Sequence, residues 1–144
     1  MTFSQLRIAP LLLSMVFLGM VACGDYGAKV AAPLGDKAAL EKLADAYRAV
    51  EESQQLGGSP LSLPPEKRKK FIELVFAEGG YSYSATLHSL GQSVTQGKLN
   101  VIDQNIKDLA ELLLVPHRAV ATDLESIYSA QELQDIRAIE SKLK

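Results

Sequence analysis

The sequence predicts an all-α domain, on three observations. Apolar residues recur at three- and four-residue steps in successive segments. Capping residues, Gly and Pro separate those segments. Nowhere does an alternating apolar–polar run extend long enough between turn residues to read as a strand. The expectation is a small bundle of five or six short helices, spanning residues 36–144.

The first helix is expected in KAALEKLADAYRAVEESQQ, 37–55, with Asp36 as its N-cap. Leu40, Leu43, Ala44, Tyr47 and Val50 supply one apolar face, and Gly57-Gly58 supplies the stop. SPLSLPP reads as a loop. Pro65 stands well at the first position of EKRKKFIELVFAE, which Gly79-Gly80 closes. Phe71, Leu74, Val75 and Phe76 are its apolar side. The third helix carries Tyr83, Leu87, Leu90 and Val94, with Ser82 capping its start and Gly97 its end. Asn100 and Asp103 form a weak capping box before VIDQNIKDLAELLL, where Ile102, Ile106, Leu109 and Leu113 make the stripe and Leu112 and Leu114 widen it. Pro116 ends that helix near Val115. RAVATDLESIY offers Val120, Leu124 and Ile127 as a further short helix. Ser129 and Glu132 then make a good capping box for the last helix, whose face is Leu133, Ile136, Ile139 and Leu143.

Composition bounds the function. The chain has 144 residues, with 15 Lys and Arg against 17 Asp and Glu, a formal charge of −2. That balance speaks against nucleic acid, whose binders present a basic surface. One cysteine, Cys23, excludes an intrachain disulfide and a Cys-rich metal cluster. No cofactor is expected.

Residues 1–7 are polar with one cation, Arg7, and Ile8 to Cys23 carry no charge. A run of 16 residues is short for a spanning helix, which needs about 20. Cation, short apolar run and small residues together form the secretory signal pattern. Met20-Val21-Ala22-Cys23-Gly24 resembles the lipobox of bacterial lipoprotein precursors, with Met20 where Leu is usual. The resemblance covers 23 of 144 residues. It implies a signal peptide over 1–22, a diacylglyceryl group and acyl chains on Cys23, and a periplasm-facing protein on a bacterial membrane. Asp25 falls one place later than the inner-membrane retention position of enteric lipoproteins, which favours the outer membrane. A sole cysteine in an oxidising compartment is better explained as a modification site than as a free thiol. Two or more acyl chains give stable anchoring. Residues 23–35, small and Gly-rich, read as the lipidated cysteine and a flexible tether.

Candidate functional residues come with plain structural alternatives. His88 and His117 lack ligand spacing, so no metal site is expected, and both read as packed or capping residues. Ser84 and His88 lie four apart on one helix face, with Glu78 nearby, but no acid has a defined place as third member of a triad and no Gly-x-Ser-x-Gly elbow exists. No catalytic residue is assigned. Tyr81 and Tyr83 read either as an exposed recognition patch or as loop and core residues. Lys67, Arg68, Lys69 and Lys70 oppose the positive end of their helix dipole. They read either as a solvated helix start or as a contact for anionic headgroups or an acidic partner. Glu132, Asp135 and Glu140 read as the solvated face of the last helix.

The function expected is non-catalytic: an adaptor, chaperone or accessory subunit of an envelope assembly, anchored through Cys23. Binding of a small apolar ligand in the bundle interior is the alternative. An enzyme using His88 or Glu78 is a third.

Overall fold

The computed structural model describes residues 30–99, 103–118 and 126–143. Five α-helices occupy them: α1 (Lys37–Ser53), α2 (Pro65–Glu78), α3 (Tyr83–Thr95), α4 (Gln104–Leu113) and α5 (Ala130–Leu143), with a 3-10 turn at Pro60–Ser62. No strand occurs among the described residues. The expected signal peptide, Cys23, Asn100, Ile102, and Val120, Asp123, Leu124 and Glu125 of the expected sixth helix lie outside them.

The local signals act as the sequence predicts. Asp36 accepts a hydrogen bond from Ala38 N–H, and Ser82 one from Ala85 N–H. At α5 the capping box closes both ways. Glu132 N–H donates to Ser129 Oγ at 3.1 Å, and Ser129 N–H donates to Glu132 Oε2 at 2.8 Å. Gly80 and Gly97 take positive φ just past α2 and α3. Their followers, Tyr81 and Lys98, donate back to Phe76 and Ser93, the six-residue closure of a Schellman cap.

Two boundaries differ from expectation. The first helix stops at Ser53 rather than at Gly57-Gly58. Gln55 adopts φ 52°, and Leu56 N–H bonds to Glu51 O. A non-glycine residue therefore makes this left-handed cap. Asp103 caps α4 itself by accepting from Asn105 N–H, so that helix begins after it.

The core joins all five helices. Leu43, Ile72, Val75, Phe76, Leu87, Leu113 and Ile136 have no measurable exposure. Burial of apolar area at about 25 cal/mol per Å² is the main stabilising term. α1 sits rotated from its predicted face: Ala39, Leu43, Ala46 and Val50 are buried, while Leu40 and Tyr47 are half-buried and Ala44 is exposed.

The most extensive helix pairing among the described residues is α3 against α5. Gly91 permits its closest approach, since a β-carbon there would fall 2.5 Å from Asp135 Oδ1 and 2.6 Å from Asp135 Cβ. Bare backbone at Gly91 lets Asp135 enter the interface.

The expected tether is too long at its C-terminal end. Ala32 is buried, and its N–H donates to Thr86 Oγ1 at 2.9 Å. Ser82 N–H donates to Val30 O at 2.7 Å, and Asn105 Nδ2 donates to Gly35 O at 3.3 Å. Small residues permit this docking because they bring the backbone within hydrogen-bond reach of α3. Residues 30–35 belong to the folded domain.

Candidate functional site

The run Lys67–Lys70 divides between two environments. It occupies the first turns of α2, where successive side chains point about 100° apart. Lys67 and Lys70 are exposed. They border an open groove of about 510 Å³ with Leu56, Leu63, Phe71 and Leu74 along it. Leu74 is 40% exposed and Leu61, on the neighbouring 3-10 turn, 47%, large values for leucine. Two ammonium groups, with the carboxylate of Glu66 beside them, thus flank an apolar floor.

Arg68 and Lys69 turn inward, so neither is a solvated cation or a surface contact. The reason is register: α2 buries Arg68, Phe71, Ile72, Val75 and Phe76 on one side. Lys69 Nζ donates to Ile127 O at 2.6 Å and lies 3.5 Å from Glu132 Oε2 and 3.8 Å from Glu73 Oε1. It also sits 4.9 Å above the centre of the Tyr128 ring, a cation–π position. Arg68 is 3% exposed.

Tyr83 is likewise core, not a recognition residue. Its ring meets Phe76 edge-on at 5.6 Å between centroids. Its hydroxyl donates to Leu113 O at 2.9 Å and lies 3.3 Å from the Tyr128 hydroxyl. Tyr83 has one proton to give, and a carbonyl can only accept. The Tyr83–Tyr128 bond therefore uses the Tyr128 proton. Burial pushes both phenols up, Tyr128 to about 12. Tyr81 is half-buried against the core.

A second polar cluster lies where α3 crosses α5. His88 Nδ1 is 3.0 Å from Asp135 Oδ2, with the imidazole 45% exposed and the carboxylate 5%. Gln131 Nε2 also donates to Asp135 Oδ1, at 3.4 Å. Asp135 is thus a buried interface residue and not part of a solvated face. Glu132 is half-buried and collects Lys69, Ser84 Oγ and Ser129 N–H. An aspartate on Nδ1 fixes the neutral ring as the Nδ1–H tautomer and leaves Nε2 as acceptor, the arrangement of a base. The serine one turn away, Ser84, directs its hydroxyl to Glu132 Oε1 at 3.4 Å. Glu78 is exposed at the end of α2 and borders a different concavity, with Lys42 and Asp45. His88, Ser84 and Glu78 therefore do not share one site.

His117 packs at the turn after α4, with Nε2 2.7 Å from Glu140 Oε1. Each histidine thus ties a neighbouring element to a carboxylate on α5. Sequence reading missed Asp135 in this role, and the available signal was Gly91, a glycine in mid-helix where Ala would be about 1 kcal/mol more favourable. Among the described residues no group of three or more His, Cys, Asp or Glu side chains could hold a metal ion. No helix of the described residues is long and apolar enough to cross a membrane.

A second groove, of about 550 Å³, runs between α1 and α4 with Leu40, Ala44, Tyr47 and Leu112 along it. It is where the rotation of α1 leaves the outer half of its apolar stripe. Comparison with family models, with curated proteins and with solved structures gave no match.

Proposed function

We propose that this chain is a lipid-anchored protein of the bacterial cell envelope, facing the periplasm, with a non-catalytic role as adaptor, chaperone or accessory subunit. The anchor is the acylated Cys23, and the outer membrane is the favoured site. The observation that supports the reading is the pairing of that cysteine motif with a docked segment that includes Val30. Seven residue steps from Cys23 to Val30 span at most about 25 Å. Such a link holds a folded domain near the bilayer surface instead of letting it range across the compartment.

The surface that meets a partner is the groove flanked by Lys67 and Lys70. Its apolar floor and cationic edge fit an acidic, amphipathic segment of another envelope protein. A contact of that kind has a strong salt dependence, because both lysines are exposed.

Two experiments test the reading. Cells expressing the wild-type chain and a Cys23→Ala variant are labelled with a fatty-acid analogue and fractionated. Label and membrane association are expected in the wild type alone, and an unlabelled wild type would remove the anchor. Crosslinking and affinity purification then compare the wild type with a Lys67→Glu/Lys70→Glu variant. Loss of one defined envelope partner is expected, and equal recovery by both would remove the groove.

A second reading rests on the groove between α1 and α4. Its volume falls within the range of about 300–1,000 Å³ usual for small-molecule sites. It lies on the surface, not in the bundle interior where a ligand was expected. Thermal stabilisation by an apolar ligand, abolished by Leu112→Glu, would favour it over the adaptor reading.

A further inference from the structure

Among the described residues, only Arg68 and His117 hold buried side-chain nitrogens with no hydrogen-bond partner. The two are not equivalent. His117 already uses Nε2 on Glu140, and a neutral ring can keep Nδ1 as an unshared lone pair. Arg68 has no such route. A guanidinium stays charged at every relevant pH, and all its nitrogens are donors. Its Nε and Nη1 both lack acceptors, and the residue is 3% exposed. A buried charge without a counter-ion is strongly unfavourable, and an orphan group of this kind calls for an ion or another acceptor.

Among the described residues, the acids around this corner have other partners. Glu132 Oε2 takes Ser129 N–H and Lys69, and its Oε1 takes Ser84. Glu73 faces Lys69. Asp135 is occupied by His88 and Gln131. Arg68 is near enough to Tyr128 for its charge to act on that phenol, yet its Nε and Nη1 make no hydrogen bond to the Tyr128 oxygen. Lys69, the adjacent cation, adds positive field while its own bonds are made.

We propose that Arg68 is the receptor of a buried oxyanion site, taking the phosphate or carboxylate group of a small ligand between α2 and the segment that carries Tyr128. The guanidinium offers planar, charge-assisted donors suited to both groups. This site is separate from the Lys67–Lys70 groove and independent of the anchor at Cys23.

The test uses the full chain at constant ionic strength set with chloride. Inorganic phosphate and, separately, acetate are titrated while Tm is followed. A saturable rise of roughly 5 °C at about ten times Kd is expected with one or both. Arg68→Met is expected to bind the responding anion roughly tenfold to a hundredfold more weakly. Without added anion it is expected to be as stable as the wild type or more so, because an apolar isostere removes an uncompensated charge. A second measurement follows the Arg68 Nε–H signal by NMR, which should shift on titration.

Three results would overturn the proposal. Equal stabilisation of wild type and Arg68→Met would mean an adventitious ion only. No anion response, with an unmoved Nε–H signal, would leave no receptor. Strong destabilisation by Arg68→Met, coupled in a double-mutant cycle to Asp123→Asn or Glu125→Gln, would make the counter-ion one of the chain's own carboxylates.

Discussion

Replacing Gly91 by Ala places a methyl group in the α3–α5 interface. In an open helix the change would stabilise by about 1 kcal/mol, through reduced backbone entropy in the unfolded chain. Here the new carbon would stand 2.6 Å from Asp135 Cβ and 2.5 Å from Oδ1. Carbon atoms pack at about 3.5–4.0 Å, so the helices must part by roughly 1 Å. Overpacking of that kind costs about 1–3 kcal/mol. Separation also stretches the 3.0 Å contact between His88 and a carboxylate that is 5% exposed. Leaving that carboxylate poorly paired adds about 1–3 kcal/mol. The net expectation is a loss of about 3 kcal/mol, or roughly 10 °C in Tm. Urea unfolding measures it, with a constant m-value showing that the unfolded state is unchanged. In an Asp135→Ala background the penalty should shrink, since the Cγ and Oδ1 contacts vanish while the Cβ contact stays. A gain of about 1 kcal/mol from Gly91→Ala alone would refute the close crossing.

Gln55→Gly should stabilise the fold by about 1 kcal/mol, because Gln55 holds φ 52° at the end of α1, where glycine pays no β-carbon penalty; chemical denaturation would show it. Tyr83→Phe should cost about 1–3 kcal/mol, since Leu113 O and the Tyr128 hydroxyl both lose a partner inside the core; urea unfolding checks it. Stability should be full below pH about 10 and fall as pH rises toward about 12. The buried phenols of Tyr83 and Tyr128 stay protonated in the folded chain while the unfolded chain ionises, so folding binds the extra protons. Each phenol contributes a slope of up to about 1.4 kcal/mol per pH unit in that window. Tyrosine absorbance during alkaline titration should show two phenols that ionise well above the ordinary range near 10.

Helix positions and their ends are local properties, and the sequence carries them. A cap such as Ser129–Glu132 or Ser82 needs only neighbouring residues, so the residue types suffice. Gly80 and Gly97 are legible for the same reason. The Gln55 cap was not, because no residue type there demands a left-handed backbone.

The candidate sites were far less legible, since they depend on how the helices turn against each other. A rotation of α1 by part of a turn moves Ala44 and Tyr47 from core to groove. The basic run carries no sign of which cations turn inward; the packing of α2 buries Arg68 and Lys69 and leaves Lys67 and Lys70 outside. Asp135 meets His88 across 47 residues of chain, and only the crossing at Gly91 brings them together. The sequence by itself determined the all-α class of the described domain, its helices and most of their caps, because those rest on bonds within a few residues. Tertiary structure alone decided which charges are buried and which surfaces stay open, because burial belongs to the angle between helices and not to any one of them.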